Sequence, residues 1–464
     1  MAILVEAMST KKVKAIAATG NLSTGFREES ICRAARGGAD FIGCDAGSTD
    51  SGPYYLGSGK TRGAREVTKH NTKLILREAL KAEVPAIIGT AGYAGGRPHL
   101  QWMLDIVREL ARENRWHFKM AAIDSELDKE DLVKAFHAGE ITPLDPAPQL
   151  NEAVIRGAER FVGMMGVEPF QRALGAGAQV VIAGRASDVA IYAALPLLRG
   201  IPQNVAYHAG KILECGAASV AQRMYPDCLM VEMDNEGFTA EPPNPEMHCS
   251  PQSVAAHTLY ESGDPYLLVE SGGTLDMSGA QYQAVNDRAV RVTGSRWVPS
   301  EMYTVRLEGA ALVGYRSVAF AGVRDPLVLR QLDRYLEDLS VVVEKKVNDS
   351  LRLKREQYVL HWRVYGRNGT LGALEPEKEN IGHEVGLLID IVAPTQALAA
   401  GIVSIVAHTG LHHPIPEHEG LISNFAFPFS PPGIDAGPVY RFCSNHVWRL
   451  SDPLGPFAIT IEDL

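Results

Sequence analysis

Continuous apolar runs recur through the first half of the chain, and between them apolar positions return with a helical period. The runs lie at 13–18, 40–46 (DFIGCDA), 84–90 (VPAIIGT), 117–124 (HFKMAAID) and 178–185 (AQVVIAGR). Each is apolar at successive positions, as strands buried on both faces are. The segment 65–83 places Val67, Leu74, Ile75, Ala79 and Leu80 on one stripe, and 98–114 opens on Pro98, whose fixed φ suits a first helical turn. Alternation of strand and helix in this way predicts right-handed crossovers and an N-terminal parallel-sheet, Rossmann-like α/β domain.

Past residue 220 the pattern changes. Residues 235–251 are rich in proline and turn formers, and shorter strands follow at 302–309 and 312–322. A helix is expected from about Pro326 to Leu351, then strands at 357–366 and 383–393, a helix from Thr395 to about His408, and a strand at 438–450. That order predicts a C-terminal α+β domain, with domains at 1–235 and 236–464. Two domains also suit the 464-residue length, because single cores stop growing near roughly 250–300 residues.

Composition narrows the class. Hydrophobic residues at 46% and charged residues at 22% describe a folded globular chain rather than a disordered one or a coiled coil. The net charge of −10, without any block of five Lys/Arg, argues against nucleic acid and anionic membranes as partners, so an anionic substrate must be captured locally. The N-terminal twenty residues carry their lysines after the apolar run and no Ala-x-Ala site, so no signal peptide is expected. Six cysteines without a C-x-x-C pair fit reduced thiols and a cytoplasmic location.

Candidate chemistry gathers where the strands end. In an open parallel sheet ligands bind beyond the carboxyl ends of the strands, and four glycine-bearing segments fall there: 18–25, 44–60 (CDAGSTDSGPYYLGSGK), 89–96 and 184–188. Glycine lets the backbone approach a ligand, and exposed N–H groups beside a helix start attract anions. From these loops we expect substrate contacts by Asn21, Ser48, Thr49, Ser51, Gly52, Tyr55, Thr90 and Gly92. Asp45 or Asp50 would move a proton, and Tyr54 or Tyr55 would form a wall or protonate a leaving group. Arg185, directly after a buried strand, suits capture of a carboxylate, with Asp188 beside it.

Lys69, next to His70 early in its helix, is a further acid–base candidate, and Glu214 is another. Cys215 sits at a helix C-terminus, where the dipole opposes a thiolate, which argues against a nucleophile. Neither 57–63 nor 89–96 has the spacing of a nucleotide loop, which excludes a Walker NTPase and a plain NAD domain. In 407–420, His408, His412, His413 and His418 with Glu417 and Glu419 suggest zinc, but Gly410, Pro414 and Pro416 break the helix such a motif needs. We assign no cofactor and no metal ligands, leaving room for a divalent ion.

The segments CDAGSTDSGP, IAGRASDVAIYAALPLLRGI, AYHAGKILECGA and HTLYESGDPYLL together resemble the AtuA family, named for acyclic terpene utilisation. Gly-Arg-x-x-Asp at 184–188 followed by Gly-x-x-x-Glu-Cys-Gly at 210–216 is the most specific part, and 288–305 and 445–463 also look like that family. An Arg-Ser-Gly-Asp-Lys-Gly segment known from one branch is missing, so substrate identity is not carried over. The resemblance implies an enzyme of carboxylate or acyl-CoA breakdown, often with a small companion protein. We therefore expect a lyase, hydratase or isomerase acting by acid–base chemistry on a small carboxylate or its CoA thioester, in a homo-oligomer. The alternatives are a non-catalytic ligand-binding or scaffold subunit serving a small companion, and a metal-dependent hydrolase.

Overall fold

The computed structural model describes residues 12–464. The N-terminal apolar stretch discussed above for a signal peptide falls largely outside those residues. The chain forms two compact units, one reaching to Ala311 and including Phe442–Leu464, the other Leu312–Arg441. The boundary expected at 235–236 instead falls in the turn between two paired strands of the first unit.

In the first unit the strands begin with β1 (Val13–Ala17), β2 (Phe41–Asp45), β3 (Ala86–Gly89), β4 (Lys119–Ile123), β5 (Ile141–Pro143), β6 (Arg160–Met164), β7 (Val180–Ala183), β8 (Leu229–Met233) and β9 (Gly237–Glu241). Its helices begin with α1 (Glu28–Arg36), α2 (Tyr54–Ser58), α3 (Arg65–Lys81) and α4 (Arg97–Asn114). They continue with α5 (Lys129–His137), α6 (Glu152–Gly157), α7 (Glu168–Gly175), α8 (Asp188–Leu198), α9 (Gln203–Leu213) and α10 (Pro251–Thr258). The strands β1, β2, β3, β7 and β4 lie side by side in that order and parallel, in the register Ala15↔Phe41, Ile42↔Ala86, Ile87↔Val181 and Ala121↔Val181.

These are the five apolar runs, and the parallel sheet expected from them forms. It is the centre of a larger mixed sheet: β8 and β9 continue it antiparallel beyond β1, and Ile459–Asp463 closes the β4 edge antiparallel. Successive side chains of the parallel strands face opposite layers. Ile87, Val181 and Ala183 pack with α8 residues such as Tyr192, while Ile42, Ile88 and Ile182 pack with Met103 and Val107 of α4. Full burial of each large aliphatic side chain contributes about 1.5–3 kcal/mol.

The second unit is α+β. Helices Leu332–Leu351 and Gln396–Leu411 cover an antiparallel sheet containing Val359–Tyr365, Val385–Ala393 and the later part of Tyr303–Val323, over a core that includes Val343, Leu387, Ile389 and Val403. The two strands expected at 302–309 and 312–322 are one continuous strand, Tyr303–Val323. Its first part pairs with β6, and the intervening Ala310 and Ala311 stay extended because Ala310 pairs with Arg160.

Candidate functional site

The loops that leave β1 and β2, together with the start of α8, meet around a cavity of about 870 Å³. Asn21, Asp45, Ser48, Asp50, Ser51 and Asp188 line it, which brings six of the expected residues together. A volume of this size suits a small organic ligand.

The opposite wall comes from an unexpected direction. Strand β8 runs antiparallel to β1, with Leu229 opposite Ala17, so the chain entering β8 passes the carboxyl end of β1. This carries Cys215 and Arg223 to the cavity, and a bridge between Val220 and Cys249 brings α10 alongside, with His257 and Tyr260. Gly20 is required here: a Cβ on it would sit 2.6 Å from Cys215 Cα, so no other residue lets the two loops approach so closely.

Asp45 is 5% exposed at the end of β2, and burial, reinforced by the Asp188 carboxylate, holds its carboxyl well above the usual range. The Gly47 N–H donates to it at 3.3 Å. Asp188 opens α8, where the helix dipole favours an anion, yet burial still raises its carboxyl against the opposing pull of Arg185. The Asp188 side chain is half-buried, 34% exposed, and two neighbouring carboxyls that repel each other's charge titrate as a pair. Beneath them Glu214 is pushed up to about 8 by burial, although Lys211 Nζ donates to it at 2.6 Å. Burial also raises the Cys215 thiol strongly.

Arg185 does not reach the cavity. It is 4% exposed, and its guanidinium donates to Glu308 at 3.0 and 3.2 Å, to Asp188 at 3.1 Å and to the Ala186 carbonyl at 2.7 Å. Its expected role as anion clamp is corrected to that of an internal cation that orients Asp188. Thr90 is fully buried and accepts from Arg185 at 3.4 Å, so it contacts the arginine rather than the cavity. Gly92 is a turn residue at φ +62 against His99. Thr49 is buried and Gly52 lies off the cavity lining.

Lys69 is placed elsewhere. It stands between α3 and α4, donating to Glu109 and Glu113 at 2.5 and 2.7 Å, and these carboxylates raise its pKa rather than lower it. Tyr54 and Tyr55 also lie off the lining; Tyr55 packs edge-on to Tyr93 with ring centroids 5.1 Å apart. The aromatic wall is Tyr93 itself, from the third glycine loop, with the Arg62 guanidinium 4.9 Å above its ring.

Sequence reasoning missed Arg62, Tyr93, Arg223 and His257 as lining residues. Arg62 stands in the 57–63 segment, whose Gly-Lys-Thr resembles a nucleotide loop, and Tyr93 in the middle of 89–96. The histidines of 407–420 do not surround a common point with Glu417 and Glu419 among the described residues; His412 Nδ1 bonds the Ile422 carbonyl at 2.6 Å. A larger cavity of about 1250 Å³, with Glu168, Tyr207, Trp297 and Tyr303 in its wall, is bordered by none of the four glycine loops.

Glu270 lies near this carboxylate group and accepts from Ser187 Oγ at 2.9 Å; burial pushes its pKa up from 4.5 to about 7. The folded state therefore holds this proton more tightly than the unfolded chain. Its contribution to stability is complete below about pH 4.5 and is lost as pH rises through about 7. Glu270→Gln removes that loss, so relative to wild type the variant should gain roughly 2–3 kcal/mol between pH 4.5 and 8. Urea unfolding of both proteins across that range measures the difference, and parallel pH profiles would contradict it.

The family model described as acyclic terpene utilisation family protein AtuA matches residues 76–423 of the 464. The chain belongs to the AtuA family. The AtuA match includes Tyr93, the Arg185–Asp188 segment, the Glu214–Cys215 pair and α10, and so most of the cavity wall. No curated protein and no solved structure matches the chain. Among the described residues no helix is long and apolar enough to cross a membrane.

Proposed function

We propose that this AtuA-family protein is an enzyme that uses the Asp45–Asp188 pair for proton transfer on a small carboxylate, or the CoA thioester of one, as a lyase, hydratase or isomerase. Membership of a family described by acyclic terpene utilisation suggests a place in the breakdown of branched acyclic acids. The observation that carries this proposal is the meeting of the buried Asp45 carboxyl and the half-buried Asp188 carboxyl, both raised above their ordinary range, with Arg62 and Arg223 around one cavity. The arginines supply the anion clamp, one carboxyl removes a proton beside a carbonyl, and the other returns a proton to a leaving or accepting group. Ala218, Val220 and Ala256 give the cavity an apolar side suited to a hydrocarbon chain.

Glutarate and glutaryl-CoA are suitable probes. Calorimetric titration should show binding that weakens about tenfold in Arg62→Ala and in Arg223→Ala, the equivalent of about 1.4 kcal/mol for each lost ion pair. Equal affinity in all three proteins would contradict the clamp.

A further inference from the structure

We propose that Glu214, Cys215 and His257 form a binding site for a thiophilic divalent cation, with zinc the best fit to the donor set. One ligand atom from each residue lies within 4.8 Å of the other two. A four-coordinate ion with bonds of roughly 2.0–2.3 Å gathers such a set by small side-chain rotations. The donors come from two elements: Glu214 and Cys215 follow the last turn of α9, and His257 lies in the last turn of α10. The Val220–Cys249 bridge ties the intervening chain together, so the trio is positioned by the fold.

A second observation points to a ligand. His257 is 6% exposed, and its Nε2 is buried with no hydrogen-bond partner. An orphaned polar atom of this kind costs about 1–3 kcal/mol, a cost that a bound ion removes. The ring is held by a hydrogen bond to the Lys211 backbone carbonyl, the arrangement that orients metal-bound histidines. Lys211 Nζ binds Glu214 Oε1 at 2.6 Å, which leaves Oε2 for the cation.

Charge balances locally. On binding, the Cys215 thiol and the Glu214 carboxyl each release a proton to solvent, the pair coordinate as thiolate and carboxylate, and the two negative charges match those of the ion. Asp188, Glu261 and Glu270 surround the site along with the cations Lys211 and Arg223, so it is not dominated by positive charge. Cys215 and His257 both line the cavity, so the remaining coordination position opens toward it. An ion there would polarise the carbonyl oxygen of a bound acyl group. This metal site goes beyond the acid–base proposal and does not depend on it.

The test is titration of the full-length, metal-stripped protein with cobalt(II) and with zinc(II). We expect one equivalent bound, a thiolate-to-cobalt charge-transfer band in the near ultraviolet, and displacement of cobalt by zinc. Cys215→Ser and His257→Gln should each weaken binding on the order of 100-fold, since even outer-shell changes cost 10–100-fold, while His418→Gln should bind as wild type does. Zinc should also protect wild-type Cys215 from alkylation, a readout that needs no variant to fold. Absence of the thiolate band, or alkylation of Cys215 at an unchanged rate with zinc present, would overturn the site.

Discussion

Arg185→Met is expected to destabilise the protein by about 3–5 kcal/mol, the cost of removing one partner from a buried ion pair. The reason is the surroundings of Glu308, which is 8% exposed and meets the Arg185 guanidinium through two hydrogen bonds. Without the arginine, Glu308 must either keep an uncompensated charge in the interior or take up a proton. The double variant Arg185→Met, Glu308→Leu removes both charges, and its stability should recover most of the loss. Urea unfolding of the single and double variants measures this. A single variant within about 1 kcal/mol of wild type, the range of an exposed pair, would show that the two groups are solvated. Arg185 would then again be available to a substrate.

The second large effect concerns turnover. Asp188→Asn and Asp45→Asn should each lower the rate about 10²–10⁴-fold, the contribution of a positioned acid–base group. Asparagine preserves size and can still accept from Arg185, so folding should survive at position 188. At position 45 the side chain can still accept from Gly47 N–H. Asp50 is exposed at the cavity rim, with its own backbone N–H donating to Ser48 Oγ at 3.1 Å. Asp50→Asn should therefore have a smaller effect than substitution of Asp45 or Asp188, and a KM change rather than a kcat change would place it in binding.

The strands of the parallel sheet were legible because burial on both faces leaves an unmistakable run of apolar residues, and their order predicted which loops would share an edge. On that ground Asp45, Ser48, Asp50, Ser51 and Asp188 were expected near one another, and they line one cavity. The other wall was harder to read. Leu229–Met233 alternates buried and half-buried positions in the structure, while its sequence offers only Glu232 in an otherwise apolar run. No local pattern therefore indicates that the chain returns past β1 and delivers Arg223. His257 depends on the Val220–Cys249 bridge, which has no local trace.

Two candidates failed for partners that no local pattern discloses. Arg185 looked like a clamp because a cation after a buried strand faces the crevice, but Glu308 lies 123 residues away in sequence and holds it inside. Lys69 faces Glu109 and Glu113 across the α3–α4 packing, forty and more residues distant. The boundary expected at 235–236 falls inside a hairpin: the turn residues there join β8 to β9, which carry the same sheet across it.

The most direct measurement is proton–deuterium exchange at the carbon beside the carboxyl, followed by ¹H NMR in D₂O with glutarate and glutaryl-CoA as substrates. If Asp45 and Asp188 move protons in this cavity, the wild-type protein should exchange that position, and Asp188→Asn and Asp45→Asn should lose the exchange while binding the probes with unchanged affinity. Tight binding with no exchange by the wild-type protein, or full exchange by both variants, would contradict the acid–base role.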